Sequence, residues 1–128
     1  MRDMGAFRTT IAIEHPARRG ATEVLENVLV DTGAEATWVP RAILEGLGIQ
    51  VERTERYQMA DGRILERQVG FALVYVGAKA TADDVVFAEP GDTLILGARS
   101  LEGLNLRVDP RSKQLVSAGP IITATAAA

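Results

Sequence analysis

The sequence predicts one mainly β domain that carries one or two short helices. Short apolar runs rich in branched side chains recur along the chain, as in Ile11, Ala12, Ile13, in Val28, Leu29, Val30 and in Val85, Val86, Phe87. Polar, glycine-containing turns separate them, as around Arg18, Arg19, Gly20 and at Asp61, Gly62. Helical signals are confined to two short segments, 40–47 and 99–104. With 128 residues, 47% of them hydrophobic, the chain fits a single domain with a modest core. That core is expected over about 7–118.

The elements follow in order. Ile11 to Ile13 and then Val24, Leu25, Val28, Leu29, Val30 flank the polar stretch His15, Pro16, Arg18, Arg19, Gly20, which makes the first hairpin. Its second strand runs into Asp31, Thr32, Gly33, Ala34, a tetrapeptide that occurs once in the chain. A strand ending in a carboxylate, a hydroxyl and a glycine holds an acid at a tight turn among backbone donors. Glycine suits the third place because the backbone has to pass close to that carboxylate with its N–H free to bond it.

Segment 40–47 is predicted as a short helix, with Pro40 in its first turn, Ile43 and Leu44 on its apolar side, and Gly46 or Gly48 as its stop. Trp38 and Val39 just before it are expected as core anchors. Segment 53–76 holds two extended arms on either side of Asp61, Gly62, a dipeptide that favours a hairpin turn whose central residues have positive φ. A polar turn at 81–84 is expected before the strand Val85, Val86, Phe87. Leu94, Ile95 and Leu96 then run into Gly97, and 99–104 has the length of one or two helical turns ending at Gly103. Leu104, Leu106 and Val108 alternate before a turn at Asp109, Pro110 and a last strand at 114–116. The tail 119–128 is expected to fray or to lie on a neighbouring chain.

Composition excludes several functions. The formal charge of −3 is spread along the chain, which leaves no basic stripe to follow a phosphate backbone, so nucleic acid is not an expected partner. There are no cysteines, which removes disulfides, thiolate metal sites and cysteine nucleophiles. The single histidine, His15, sits in a polar stretch and reads as a surface-loop residue, so neither a Ser-His-Asp triad nor a multi-histidine zinc site is built around it. Asp83, Asp84 and Asp92 fall in two separate segments without ligand spacing and are expected in surface turns. No metal and no cofactor are expected. Residues 1–10 carry Arg2, Asp3 and Arg8 and no long apolar run, so neither a secretory signal nor a membrane span is visible, and cytoplasmic residence without membrane attachment is the expectation.

Three elements stand in a fixed order: an apolar strand into Asp31-Thr32-Gly33-Ala34, a hairpin tipped by Ala60, Asp61, Gly62, and Leu94-Ile95-Leu96-Gly97 followed by a short helix. In that order, from about 11 to 116, the chain resembles the retropepsin-like aspartic proteases, single-domain relatives of the pepsins and the retroviral proteases. The resemblance implies a closed, barrel-like β domain equal to half of the acid protease fold, and an aspartic-type endopeptidase. Asp31 would be catalytic, supported in its turn by Thr32, Gly33 and Ala34. Glu35, Trp38, Ala60, Asp61, Gly62, Thr93 and Ile95 would meet a peptide or protein substrate, and Gly97 would be structural. The hairpin around Asp61 would be a flap that closes over the peptide.

One aspartate per chain implies an isologous homodimer in which Asp31 meets its own copy on the twofold axis. Two carboxylates a few ångströms apart share one proton, which yields an acid and a base from identical side chains. The family's threonine at this motif bonds across to the other subunit, a role that falls to Thr32.

The chain departs from the viral pattern in four places, one of them the flap tip, where Asp61 and Arg63 beside Gly62 make it less glycine-rich than the viral one. Glu35 and Ala36 stand where viral relatives carry acids that bind the substrate backbone, and Trp38 stands where a small aliphatic residue lines a specificity pocket. Ala98 follows Gly97 where the viral chains have an arginine, and Arg99 comes one residue later, about 100° further round a helix. An alternative reading is a non-catalytic peptide-binding or assembly module that keeps the fold.

Overall fold

A computed structural model describes residues 7–119, so residues 120–128 of the expected tail lie outside the described residues. The first hairpin pairs β1 (Phe7–Glu14) with β2 (Thr22–Val30). Between the pairs Thr9↔Val28 and Ile11↔Leu25, β1 has one residue and β2 has two, so Glu26 and Asn27 form a bulge, with Asn27 at φ 61°. Strict alternation would send Leu25 and Val28 to opposite faces. The bulge turns both into the core, where Leu25, Val28 and Val30 pack on Ile11 and Ile13.

The next strand, β3 (Thr37–Pro40), is an addition to the sequence reading: Trp38 and Val39 do anchor the core, but from a four-residue strand. It pairs in parallel with a later strand, β6 (Lys79–Ala88), and touches β7 (Ile95–Leu96) through Trp38↔Ile95. Pro40 caps α1 (Arg41–Gly46) with φ −54°, the value its ring imposes. Gly48, rather than Gly46, takes the left-handed stop, at φ +80° with its N–H on the Glu45 carbonyl at 2.9 Å.

The long hairpin joins β4 (Arg53–Gln58) to β5 (Ile64–Val76), and β5 turns into β6 (Lys79–Ala88). The turn expected at 81–84 lies instead at Gly77 and Ala78. Val76 pairs with Lys79, and Gly77 at φ +58° supplies the positive φ that a two-residue loop needs at its first central position. The polar residues 81–84 are tolerated in mid-strand because their acids are ion-paired to neighbouring arginines. The short β7 (Ile95–Leu96), α2 (Ala98–Gly103), and the separate hairpin of β8 (Leu106–Asp109) and β9 (Gln114–Ser117) complete the described chain.

Seven strands run in the order β1-β2-β7-β3-β6-β5-β4, and β1 also pairs with β5 through Ala12↔Tyr75, Ile13↔Val74 and Glu14↔Leu73. Six strands therefore close into a barrel, which removes their free edges, and β4 is left hanging on β5. Alternation sorts the side chains. Val39, Val74, Val85, Phe87 and Leu96 point into the barrel with Leu44 of α1. Their neighbours of opposite parity, Trp38, Val69, Val86, Ala88 and Ile95, form a second cluster on the outer face, covered by Tyr57 and Met59.

A buried carboxylate locks the barrel seam. Glu14, at the end of β1, is 2% exposed. It accepts hydrogen bonds from the Tyr75 hydroxyl at 2.6 Å, from Arg19 Nε at 2.7 Å and from the Gly20 N–H. These donors, the Tyr75 hydroxyl foremost, hold its carboxyl below the ordinary value of 4.5. A depressed folded-state value gives stability that is present above the unfolded value and lost as pH falls through the folded one. Wild type is expected to lose stability more steeply than Glu14→Gln on acidification below about pH 4.5, the unfolded-state value. Denaturant titrations at stepped pH check this, and parallel curves for the two proteins would contradict it.

Candidate active site

The Asp31 turn is assembled from three segments. Parallel pairing of β2 with β7 (Leu29↔Ile95, Val30↔Leu96) ends with the Asp31 N–H donating to the Leu96 carbonyl at 3.1 Å. The chain then folds back on itself. The Ala34 N–H bonds the Asp31 carbonyl at 3.2 Å, and the Gly33 N–H bonds Asp31 Oδ1 at 2.9 Å. A Cβ at Gly33 would stand 3.2 Å from that same oxygen, tight but not forbidding. Asp31 is half-buried, whereas Thr32 and Gly33 are exposed.

Gly97 lies directly behind the turn. Its own N–H donates to Thr37 Oγ1 at 3.0 Å, while Ala98 and Arg99, at the start of α2, donate to the carbonyls of Ala34 at 2.7 Å and Glu35 at 3.1 Å. A side chain on Gly97 would run into the Ala36 and Glu35 backbone.

A groove of about 820 Å³ opens in front of Asp31. Its floor is Asp31, Gly33, Ala34, Glu35, Ala36, Trp38 and Ile95, and the β4–β5 hairpin contributes Tyr57, Gln58, Met59 and Ala60. Trp38 and Tyr57 meet edge to face with ring centroids 5.3 Å apart, an arrangement aromatic pairs favour. Burial pushes the Tyr57 phenol up, so it faces the groove neutral. Trp38 is thus both a core anchor and part of the groove floor.

Asp61, Gly62 and Thr93 do not line this groove. The hairpin tip is a three-residue loop: Gly62 N–H bonds the Met59 carbonyl at 2.9 Å and Met59 N–H bonds that of Arg63 at 2.8 Å. Only Gly62 has positive φ, at +91°, whereas the dipeptide reading placed both central residues there. Asp61 turns toward its own strand and binds the Arg63 N–H at 3.0 Å and Nε at 2.6 Å. These contacts, the backbone N–H first, hold its carboxyl below the usual range. Thr93 is exposed.

An ion-paired group in the groove wall has no counterpart in the sequence reading. Arg53 bridges Glu55 and Asp84, each at 2.7 Å, and Arg99 lies 3.4 Å from Asp83 and 3.5 Å from Asp84. Arg53, Glu55, Asp84 and Arg99 all line the groove, with Arg56. The arginine shifted to position 99 therefore serves β6. The acids expected in surface turns are accounted for likewise: Asp83 and Asp84 sit in β6, and Asp92 holds Arg67 at 2.7 Å. Among the described residues no group of three or more histidines, cysteines or acids could hold a metal ion.

A family model described as "gag-polyprotein putative aspartyl protease" matches residues 23–103, from β2 through α2. The chain belongs to this family. It is a retropepsin-like aspartyl protease by family, and its closed, mainly β domain with two short helices is the expected architecture. The solution structure of Simian Foamy Virus (mac) protease is similar at 20% identity, with a TM-score of 0.49 over 74% of this chain and 91% of that one. No curated protein matches the sequence. In this protease the matched region contains the Asp31 turn, the long hairpin and the Gly97 step.

Proposed function

We propose that the chain is a homodimeric aspartic endopeptidase in which the two Asp31 carboxylates, one from each protomer, activate the water that hydrolyses a peptide bond. The observation that carries this reading is the single Asp-Thr-Gly, with its carboxylate at the floor of a groove of about 820 Å³ that the β4–β5 hairpin also lines. Thr32 is exposed beside it, where a second copy can reach it.

In the proposed dimer one Asp31 is ionised and its partner protonated. The ionised carboxylate takes a proton from a water lying between them as the water oxygen bonds the scissile carbonyl carbon. The protonated carboxylate gives its proton to the carbonyl oxygen, forming a neutral gem-diol. The carboxyl that took the water proton gives it to the amide nitrogen while the other, now ionised, takes a proton from a gem-diol hydroxyl, so the C–N bond breaks, an amine and a carboxylic acid leave, and the singly protonated pair is restored. The backbone of the peptide lies along the β4–β5 hairpin by strand addition, and the hairpin excludes water from the reaction.

Sedimentation across micromolar concentrations, from mildly acidic to neutral pH, is expected to show a dimer. Incubation of that dimer with a peptide library, read by mass spectrometry, is expected to give endoproteolytic products. A strict monomer over the whole range would refute the reading, because one carboxylate cannot serve as both acid and base.

A further inference from the structure

We infer that Asp83, a residue of β6 outside the catalytic turn, is a positioning residue for Asp31 and acts through Ser100, Thr37 and Gly97. The inference rests on the assignment of Asp31 as the catalytic group. Thr37 and Ser100 are fully buried and the Asp83 side chain is 8% exposed, so water does not compete for their bonds.

The direction of every bond in the chain is fixed by Asp83. A carboxylate can only accept, so the Ser100 hydroxyl donates to Asp83 Oδ2 at 2.8 Å. Ser100 Oγ is then left to accept from the Thr37 hydroxyl, 2.7 Å away. Thr37 Oγ1, its proton committed, accepts the Gly97 N–H at 3.0 Å. Asp83 is itself held, because its Oδ1 takes the Asp84 N–H at 2.8 Å and faces Arg99 at 3.4 Å.

Gly97 is where this chain meets the catalytic turn. The carbonyl just before it, on Leu96, receives the Asp31 N–H, and the two N–H groups just after it bind Ala34 and Glu35. Three of the bonds that hold the turn thus pivot on one residue, and Gly97 has no side chain with which to hold itself. Its N–H is tethered by the Thr37 hydroxyl at 3.0 Å, while its carbonyl accepts the Leu101 N–H of α2 at 3.1 Å. Loss of the Thr37 bond loosens the N–H side of the pivot, the side that faces the turn, and displacement of a reacting group by about 1 Å costs on the order of 10²-fold in rate.

The test uses the full-length dimer and a fluorogenic form of the library peptide that wild type cleaves fastest. Thr37→Val is expected to lower kcat by about 10- to 100-fold with KM changed less than about twofold, and Thr37→Ser, which restores the hydroxyl, to recover most of the loss. Ser100→Ala, which spares the Gly97 bond but leaves the Thr37 proton without an acceptor, is expected to lower kcat in the same sense. The double variant should be no slower than the worse single one, as for groups acting as a unit. Hydrogen exchange at the Gly97 amide should accelerate in each impaired variant, a readout that needs no turnover. Asp31→Asn is measured beside them. If it is silent while Thr37→Val and Ser100→Ala keep wild-type kcat and Gly97 protection, the positioning role is overturned and the dyad stands. Cleavage by Asp31→Asn overturns both.

Discussion

An Asp31→Asn variant is expected to remain a folded dimer and to lose peptide cleavage, with the rate falling by about 10²–10⁴-fold or more from proton transfer alone. Because the proposed dimer is made of two copies of one chain, the substitution would remove both carboxylates at once. An amide neither takes a proton from water nor gives one to a carbonyl, so acid and base disappear together. The turn survives for a separate reason. The asparagine carbonyl oxygen is still able to accept the Gly33 N–H at the place of Asp31 Oδ1, and the two backbone bonds from Asp31 are untouched. Asp31 is only half-buried, so the change is expected within about 0.5 kcal/mol of wild-type stability, as for other substitutions away from the core. Two uncharged asparagines replace the pair that shared one proton, so no repulsion is added on the proposed twofold axis and the dimer should not weaken.

Steady-state cleavage, thermal unfolding and sedimentation together check the three parts of this expectation. Mixing gives an independent check. If subunits exchange freely, an equimolar mixture retains about one quarter of the dimers with two aspartates. Cleavage that persists in the pure variant would assign the chemistry to another group.

Much of this architecture was legible because its signals are local. The branched alternation of β1 and β2, the Asp61, Gly62 turn and the Gly97 stop all lie within a few residues of the elements they shape. The family order of those signals located the Asp31 turn. What was not legible depends on partners distant in the chain. β3 is four residues long and exists because Thr37 to Pro40 find Val85 to Ala88 in parallel register. The acids at 83 and 84 read as turn residues because acids in a strand are costly unless paired, and their partners Arg53 and Arg99 come from β4 and α2. Thr37, Ser100 and Asp83 come from three different elements, and no spacing in the sequence marks them as one chain of hydrogen bonds. The bulge at Asn27 was hidden for a simpler reason. An extra residue in a strand changes the pattern of facing without changing the composition.

Gly97→Ala is expected to be the most damaging of the small substitutions, and the reason is contact rather than conformation. Gly97 lies at φ −94° and ψ 175°, extended values any residue adopts, so alanine meets no dihedral strain there. By itself that would make the change favourable by about 0.4–1 kcal/mol, through a less flexible unfolded chain. The added Cβ, however, would overlap the Ala36 carbonyl oxygen and stand 2.6 Å from its carbon and 2.7 Å from the Glu35 carbonyl oxygen. All three are backbone atoms and cannot rotate aside. Overpacking of this kind costs about 1–3 kcal/mol, which outweighs the entropic gain.

Relief comes only by moving residues 35–36 away from the β7–α2 junction. That movement stretches the Ala98 and Arg99 bonds to Ala34 and Glu35, and carries Asp31 with it. Activity should therefore fall by about 10²-fold or more even in the fraction that stays folded. Gly33→Ala separates the two effects. Its Cβ would meet only Asp31 Oδ1, at 3.2 Å, so it should spare stability and act chiefly on rate. Urea unfolding and single-turnover cleavage of both variants check the pair. A Gly97→Ala protein with wild-type stability and rate would show that the Asp31 turn does not depend on close contact with the β7–α2 junction.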